Sequence, residues 1–456
     1  MMSFEFFGIV VYLILQLMIG QWASSRVKTE EDYFLAGRNL TLPLATFSIF
    51  ATWFGAENCI GSAGANFKMG LSGSRIDPLG YTFCLFAFAF LMAGKLREKN
   101  YMTLADLFRS RYSRVVEKVA VIILIPSSLI WAAAQIRAFG QILALTTGQS
   151  IEAGIFLATI IVVFYTFKGG LLADVLTDLV QSLVLIVGLF ALLYFLMESQ
   201  GGLLPFFQQI PSEKLSFNLT QENMLSQFEL WSIPILGSLT SQEIVSKALA
   251  SQDKKTAVRS SYLAGCLYLF IGSIPVLLGL GGHSFVSSSV EGDAFLFTLA
   301  QQALPRLFFV IFSGAMISAI LSTIDSNLLT VSALCSHNLL GDLLPKMSEK
   351  KKLQMARMII LLSGMFALTA ALYSTRIREL VELASSFGTS GLLVVTIMGL
   401  WSKRGNELAA MSTLLIGLLS YLVFEHLFHV QAPFLFSCIA SVVTYFLVSL
   451  SKRQNI

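Results

Sequence analysis

Long apolar runs recur along this chain from one end to the other. Each run is about 20 residues, the length that an α-helix needs to cross a bilayer. Backbone polar groups in lipid must bond within the protein, which favours helices, and the short alternating segments of a membrane β-barrel are not seen. The pattern predicts an all-α, polytopic membrane protein. Its thirteen or so transmembrane helices are expected near residues 4–23, 41–66, 78–95, 119–147, 151–167, 174–197, 229–247, 259–281, 304–335, 354–374, 380–401, 406–426 and 431–450.

The composition extends this prediction to the whole chain. Of the 456 residues, 55% are hydrophobic and only 13% are charged, whereas soluble domains carry about 25% charged residues. We therefore expect one transmembrane domain over residues 1–456 and no separate soluble domain. The first run has Glu5 where a signal peptide would carry positive charge, so we interpret it as a retained span. The five cysteines lie in or beside apolar runs, which is typical of small hydrophobic residues in helix packing.

Positive charge is distributed unevenly between the predicted connections. Most of the 31 Lys and Arg residues lie in every second connection, beginning with the one after the first span. Connections rich in Lys and Arg face the cytoplasm. This predicts a protein of the plasma (inner) membrane with its N-terminus outside and its C-terminus in the cytoplasm.

The second predicted span carries polar groups near its middle. Gly55 is followed by Glu57 and Asn58, and then by Gly61 and Gly64. Transporters build ion and solute sites from interrupted helices of this kind. Small residues alone would instead indicate a closely packed helix. The carboxylate favours the functional interpretation, because a charge buried in a membrane is costly without a role.

The seventh predicted span has a comparable irregularity. Pro234 and Gly237 can unwind it, and Gln242 and Glu243 add polar groups. Two interrupted spans that lie five helices apart are what a five-plus-five inverted repeat would produce. We expect the parts to be an extra helix, two repeats and a C-terminal pair, at residues 4–23, 41–197, 229–401 and 406–450.

Hydroxyl groups line one face of the ninth predicted span. Ala319, Ser322, Thr323 and Ser326 are spaced at i, i+3, i+4 and i+7. Oxygen atoms are the hard ligands suited to Na⁺, although hydroxyls in a helix also bond back to the carbonyl four residues earlier. Asp325 in the same turn favours ion binding.

Charged side chains occur in two further spans. In the sixth, Asp174 and Asp178 share one helix face. A carboxylate near a helix N-terminus can act as a cap, and this role suits Asp174 better than Asp178, which lies deeper. In the fourth, Arg137 needs an anionic partner within the membrane. That partner could be Glu57, Glu243 or a carboxylate of the solute, and both a structural and a solute-binding role remain open.

The motifs of several enzyme classes are missing. The chain has no Walker motif, no G-x-S-x-G and no dinucleotide fingerprint. Its four histidines form no zinc-binding pattern. We expect neither an enzyme nor an ATP-driven pump, no cofactor other than a coupling ion, and no nucleic-acid partner.

Five short segments, taken in order, resemble one known family of transporters. They are Asp32-Tyr33-Phe34-Leu35-Ala36-Gly37-Arg38, Ala56-Glu57-Asn58-Cys59-Ile60-Gly61, Gly169-Gly170, Thr177-Asp178-Leu179-Val180-Gln181 and Ser322-Thr323-Ile324-Asp325-Ser326. The family is the sodium–solute symporters, which include sodium-coupled sugar, proline, sialic acid and choline transporters. The resemblance, from about Glu31 to Leu340, implies a core of two inverted repeats with one extra helix before it and about two after it.

The resemblance also implies where sodium binds. The first site would lie between the second and ninth spans, at the carbonyls of Ala51, Phe54 and Ala319 and the hydroxyls of Ser322 and Thr323. Some members have a second sodium site, which here would comprise Asp178, Ser322, Asp325 and Ser326. Asp325 stands where several members carry Ser.

The solute-binding positions resemble different branches of the family. Trp53, Tyr81 and Trp131 look like aromatic positions of the choline branch, whose third Trp is replaced near Ser241. Glu57 and Asn58 resemble the sugar transporters, and Arg137 is placed like an arginine that binds the carboxylate in sialic acid transporters. The predicted contacts are Trp53, Glu57, Asn58, Tyr81, Trp131, Arg137, Ser241 and Gln242.

These observations predict a secondary active symporter that couples Na⁺ entry to the uptake of a small organic solute. Arg137 favours a zwitterionic or anionic metabolite, such as an amino acid or another carboxylate. The alternatives are a quaternary ammonium, as in choline, or a sugar. A transporter-like sensor is a further alternative. In each case the partners of the protein would be the solute and the lipid bilayer, and the protein would be a monomer or a weak oligomer.

Overall fold

The computed structural model describes residues 4–217, 223–287, 289–341, 347–374 and 377–451. Among these residues the secondary structure is helical, apart from one isolated bridge between Leu40 and Ser251. The helices of the first half are α1 (Phe4–Ser24), α2 (Glu30–Leu35), α3 (Leu42–Trp53), α4 (Ala63–Met69), α5 (Tyr81–Phe88), α6 (Gly94–Glu98), α7 (Leu104–Arg111), α8 (Arg114–Thr147), α9 (Ile151–Ser199) and α10 (Leu203–Gln209).

The second half of the chain continues the bundle. Its helices are α11 (Met224–Leu236), α12 (Gln242–Ala250), α13 (Lys254–Gly281), α14 (Gly292–Ala303), α15 (Arg306–Ala333), α16 (Glu349–Tyr373), α17 (Ile377–Ser386), α18 (Thr389–Trp401), α19 (Glu407–His426) and α20 (Pro433–Ser451). Wider π-helical turns cover Glu57–Ser62, Ile76–Gly80, Ala89–Ala93 and Leu334–Leu340, and 3₁₀ turns cover Ala36–Arg38, Gly70–Arg75, Ser212–Leu215, Gly237–Thr240 and Gly282–Ser284.

The helices confirm an all-α membrane protein. In the described part of the chain, eight helical stretches are long and apolar enough to cross a membrane, or nine if the bent pair α17–α18 counts as one span. The predicted number of thirteen is not confirmed, because α3 and the first part of α9 are each shorter than a full span. Large apolar side chains such as Phe164, Val187 and Phe270 are exposed on the outside of the bundle, where lipid would cover them.

The centre of the bundle is α15, which is buried continuously from Phe312 to Ala333. It packs against α9, α8, α3 and α16. Its small residues allow close approach: a Cβ atom added to Gly188 of α9 would lie 2.7 Å from Ala315 Cβ. The hydroxyl-bearing face of the ninth span therefore lies inside the protein.

Both predicted interruptions are present. Helix α3 ends at Trp53, and the chain resumes helical geometry only at Ala56. Helix α11 ends at Leu236, a 3₁₀ turn follows, and Ser241 is extended before α12 begins. Gly237 is required in this second break, since a Cβ atom there would lie 2.3 Å from the carbonyl oxygen of Ser385.

Helix α9 is interrupted at Gly170, which has φ of +60° and ψ of −173°. A Cβ atom at this position would also lie 2.8 Å from the carbonyl oxygen of Tyr33. Only glycine adopts this backbone at little cost. The break begins a second segment that carries Asp174 and Asp178 toward the centre of the protein.

Candidate sodium and solute sites

The break after α3 lies directly against α15. A Cβ atom at Gly55 would be 2.8 Å from Thr323 Oγ1. The last helical hydrogen bond of α3 runs from Phe54 N to Phe50 O at 2.9 Å. Carbonyl groups in the last turn of a helix have no partner within that helix. The end of α3, with carbonyls that have no partner within the helix, is therefore followed directly by a residue that lies against the Thr323 hydroxyl.

Gln135 of α8 holds the broken segment in place. Its Oε1 accepts a hydrogen bond from Ala56 N at 2.9 Å, and its Nε2 donates to Glu57 Oε2 at 2.6 Å. Glu57 Oε1 makes no hydrogen bond of good geometry. The second carboxylate oxygen of Glu57 is thus buried without a bond of good geometry.

Asp178 connects three helices around the predicted sodium ligands. It accepts hydrogen bonds from Ser48 of α3 at 2.5 Å and from Ser322 of α15. Thr323 bonds back to the carbonyl of Ala319 at 3.2 Å. The hydroxyls of Thr52 and Ser326 lie 3.3 Å apart. The residues of both predicted sodium sites are thus close neighbours.

The expectation that Asp174 caps its helix is wrong. Its carboxylate is buried and pairs with the ammonium group of Lys247, and it also accepts a hydrogen bond from Ser326 Oγ at 3.1 Å. Lys247 also lies 3.2 Å from Asp178 Oδ2. A side chain from another helix supplies the partner, because Asp174 points into the bundle rather than along its own helix axis. Asp325 is bonded instead to Thr166 Oγ1 at 2.5 Å.

Aromatic rings gather beside the broken segment. The ring centroids of Trp53 and Tyr81 are 5.5 Å apart, and those of Tyr81 and Trp131 are 6.1 Å apart. Tyr268 lies 6.4 Å from Tyr81, and its hydroxyl is 3.2 Å from the carbonyl oxygen of Trp53. The three predicted aromatic positions form one cluster, with edge-to-face contacts.

A cavity adjoins this cluster. Its empty space, including its mouth, measures about 770 Å³, within the range of ligand sites. Four carboxyl groups line it, and its lining in the described part of the chain contains no Lys, Arg or His. The lining residues are Glu57, Gly61, Ser62, Ala65, Gly73, Ile76, Asp77, Tyr81, Leu230, Ile233, Asp293, Val381 and Glu382.

Other predicted solute contacts lie elsewhere. Trp131, Ser241 and Gln242 line a separate, smaller cavity. Gln242 is also bonded to the backbone N–H of Leu104 at 2.7 Å, which fixes the start of α7. Asn58 donates to Asp77 Oδ1 at 2.6 Å.

The two carboxylates expected to pair with Arg137 are bonded elsewhere. Glu57 is bonded to Gln135, and Glu243 accepts a hydrogen bond from Ser128 at 2.6 Å. Arg137 Nη1 donates instead to the carbonyl oxygen of Ala371 at 3.1 Å. A peptide carbonyl at the end of α16 therefore binds the guanidinium, and the residue lies outside the lining of the large cavity.

The opposite side of the bundle is closed by polar contacts. Leu40 N donates to the carbonyl oxygen of Ala250, and Gln252 N donates to that of Leu40. Arg97 donates to the carbonyl oxygens of Ser251 and Gln252. Arg38 pairs with Glu31 at 2.6 Å. These contacts tie the connection before α3 and the end of α6 to the segment between α12 and α13, whereas the cavity is lined by residues of the connection around Gly73 and of α17.

Several residues of the site could not be found from the sequence. Each of them is separated from its partner by a stretch of chain or by a change of helix; they are Gln135, Asp77, Tyr268 and Lys247. A polar residue within an apolar run is the one signal they carry. It marks a buried polar group but not its partner.

The fold and site define a class of protein. A bundle of apolar helices with two interrupted spans, oxygen-rich groups at one break and a cavity beside it is the architecture of a secondary transporter. The chain belongs to the sodium:solute symporter family, whose model matches residues 33–417. It is a multi-pass membrane protein that couples sodium to the uptake of a small solute.

Individual relatives differ in the solute they are named for. The chain is similar to high-affinity choline transporter 1 of Caenorhabditis elegans, with 26% identity over 91% of this chain and 77% of that protein. It is similar to the sodium/pantothenate symporter of Haemophilus influenzae, with 27% identity over 96% of each. Among solved structures it matches a Na⁺-coupled sialic acid symporter in a substrate-bound outward-open state, with a TM-score of 0.86, 17% identity and coverage of 98% of this chain and 97% of that chain. This last likeness shows the fold.

Proposed function

We propose that the coupling Na⁺ binds at the break after α3, between the carbonyls of Ala51, Phe54 and Ala319 and the hydroxyls of Ser322 and Thr323. The observation that carries this proposal is the contact between Gly55 and Thr323, where a Cβ atom would lie 2.8 Å from the hydroxyl oxygen. An ion at this point would tie a mobile broken helix to the buried α15. Release of the ion would loosen the same contact, which is how binding couples to a change of access.

The transported solute carries a positive charge under this proposal. Four carboxyl groups line the large cavity, and the cavity lining within the described residues has no basic side chain. Glu57 and Tyr81 both line the cavity, and Trp53 packs against the ring of Tyr81. Aromatic faces attract ammonium groups by cation–π interaction. These features support an organic ammonium, such as choline, or a zwitterion that presents its ammonium group.

A purely anionic solute is the less favoured alternative. It would meet the four carboxyl groups, and Arg137 is bonded to Ala371 outside the cavity lining. Both choline and pantothenate occur in the names of the relatives. The carboxyl groups of the lining favour the cationic alternative, because a carboxylate attracts a ligand of opposite charge.

The arrangement of contacts supports an outward-facing state. The cavity is bordered by the connections that the positive-inside pattern assigns to the outside, and the closed face carries Arg38, Arg97 and Lys254. In this orientation the N-terminus is outside and the C-terminus is cytoplasmic. We propose a plasma-membrane location and a monomer or weak oligomer, with the repeats at residues 41–197 and 229–401.

Uptake into proteoliposomes tests the proposal. Purified full-length protein is reconstituted, and the accumulation of radiolabelled choline, proline and pantothenate is followed under an inward NaCl gradient and under KCl. We expect Na⁺-dependent accumulation of choline or of proline above its equilibrium level. Accumulation of pantothenate alone would overturn the proposed charge of the solute. Sodium-dependent binding without any uptake would indicate a sensor.

A further inference from the structure

Lys247 is a fully buried lysine in α12, just beyond the interruption of the seventh span. Its Nζ forms ion pairs with Asp174 and, at 3.2 Å, with Asp178. An ammonium group carries three donors and no acceptor, so it must be surrounded by oxygen atoms when it is buried. A charge inside a membrane protein persists only with such partners.

The partners of Lys247 are themselves held by hydroxyl groups. Asp178 accepts hydrogen bonds from Ser48 and Ser322, and Asp174 accepts one from Ser326. The ammonium group therefore lies among oxygen-bearing side chains of α3, α9 and α15. Carboxylate and hydroxyl oxygens are also the ligands that hard monovalent cations prefer.

We propose that the ammonium group of Lys247 takes the place of a second sodium ion among these side chains, so that one Na⁺ moves in each transport cycle. The inference rests on the proposed function, because it takes the first Na⁺ to bind at the break after α3. The residues concerned, among them Asp178, would otherwise hold a second sodium ion. Their cationic partner is instead the ammonium group of Lys247.

The charges in direct contact with Lys247 agree with one bound ion. Asp174 and Asp178 contribute two negative charges, and Lys247 neutralises one of them. Ser322 donates to Asp178 and is also one of the proposed hydroxyl ligands of the first Na⁺. One Na⁺ at that site would therefore lie close to the remaining negative charge. Asp325 is engaged separately, through the hydroxyl of Thr166.

The position of Lys247 also gives it a mechanical role. It joins α12, the half of the seventh span beyond the break, to α9, while Ser326 of α15 bonds to the same Asp174. A diffusible ion at this point would leave in every cycle, whereas a lysine stays. The interaction between these helices would then be independent of the sodium concentration, and uptake would depend hyperbolically on Na⁺.

Counting bound sodium tests this inference. Equilibrium binding of ²²Na⁺ to purified full-length protein in detergent, at constant ionic strength, gives the number of ions per chain. We expect one ion for the wild type and two for Lys247→Met, which keeps the length of the side chain but removes its charge. Lys247→Arg should bind one. Lys255→Met, which removes an exposed lysine at the start of the next helix, is the matched control and should also bind one.

The outcomes separate this inference from the proposed sodium site. Two ions in the wild type, or no additional ion in Lys247→Met, would overturn the role of Lys247. No ion in the wild type but one in Lys247→Met would support that role and contradict the first site. If Lys247→Met does not fold, the numbers of Na⁺ ions bound to Lys247→Gln and to the wild type test the inference in its place. Asp325→Asn should leave the count unchanged, and a lower count in that variant would show that Asp325 is a ligand of bound Na⁺, contrary to this inference.

Discussion

Gly55 lies directly against Thr323, with room for no side chain between the broken second span and the central helix α15. The neighbouring atoms are the ends of side chains, Thr323 Oγ1 and Gln135 Oε1, both 2.8 Å from a Cβ atom at position 55. These side chains can shift without unfolding the protein. A change at Gly55 should therefore disturb the sodium site more than the fold.

We predict that Gly55→Ala weakens sodium binding by about tenfold or more, equivalent to about 1.4 kcal/mol. The added methyl group displaces the Thr323 hydroxyl from the carbonyls at the end of α3. The apparent Kd is measured from the rise in Tm as NaCl replaces KCl. Gly314→Ala on α15 is the control, since the nearest atom to its Cβ position is 4.0 Å away. An unchanged Kd in Gly55→Ala would argue against an ion at this contact.

Much of this site follows from local sequence patterns. Gly55, Pro234 and Gly237 interrupt apolar runs, and both breaks are present in the structure. The helical spacing of Ser322 and Thr323 places them on one face of a single helix, which the structure buries.

The remaining contacts depend on which helices pack together. Gln135 and Glu57 are bonded across two helices, and so are Lys247 and Asp174. Periodicity reports which face of a helix is buried but not which neighbour it meets. The capping role considered for Asp174 was therefore wrong, because its carboxylate pairs with Lys247 of another helix. Neither Glu57 nor Glu243 is the partner of Arg137, which donates to Ala371 O.

Gln135→Leu should destabilise the broken segment. The substitution keeps the size of the side chain but leaves Ala56 N–H and Glu57 Oε2 without their present partner. A buried polar group without a partner costs about 1–3 kcal/mol. We expect a lower Tm in both NaCl and KCl, measured by differential scanning fluorimetry. Gln208→Leu changes an exposed glutamine and serves as the control. If the two variants melt alike, Gln135 does not brace the break.

Glu57→Gln should reduce the affinity for a cationic solute. The variant removes the charge of a carboxylate that lines the cavity and leaves the shape of the side chain nearly unchanged. We expect the apparent Kd for choline, or for tetramethylammonium if choline does not bind, to rise about tenfold or more, equivalent to about 1.4 kcal/mol.

The measurement is the ligand-induced rise in Tm in the presence of Na⁺. Glu198→Gln, at an exposed position, controls for the loss of one negative charge. Tighter binding of pantothenate to wild-type protein than of any ammonium compound would contradict the proposed role of Glu57.

The closed face should lose stability in acid. The pKa values of Glu30 and Asp106 lie below their ordinary values of 4.5 and 3.8. Burial alone would raise both pKa values, but the hydrogen bonds and the charge of His337 outweigh burial. Lys352 lowers the pKa of Glu30 further. A carboxyl group whose pKa is lowered by folding stabilises the protein above its unfolded pKa, and this contribution disappears as the pH falls through the folded pKa.

We therefore expect His337→Gln to lower the Tm at pH 7, and the difference from wild type to shrink as the pH falls below about 4. His426→Gln, at an exposed position, is the control and should change the Tm little at any pH. A difference between wild type and His337→Gln that stays constant down to pH 3 would show that His337 acts through packing and not through these carboxylates.

The most direct test of the account is sodium binding to Thr323→Val and Ser322→Ala. Thr323→Val removes only the hydroxyl. Thr298→Val is matched to it, since both hydroxyls bond back to the carbonyl four residues earlier. Ser332→Ala is matched to Ser322→Ala, as a buried serine of the same helix that bonds to Ala356 O at 2.7 Å. We predict that equilibrium binding of ²²Na⁺ weakens at least tenfold in Thr323→Val and Ser322→Ala and is unchanged in the two controls. Wild-type affinity in both Thr323→Val and Ser322→Ala would contradict a sodium ion at the break after α3.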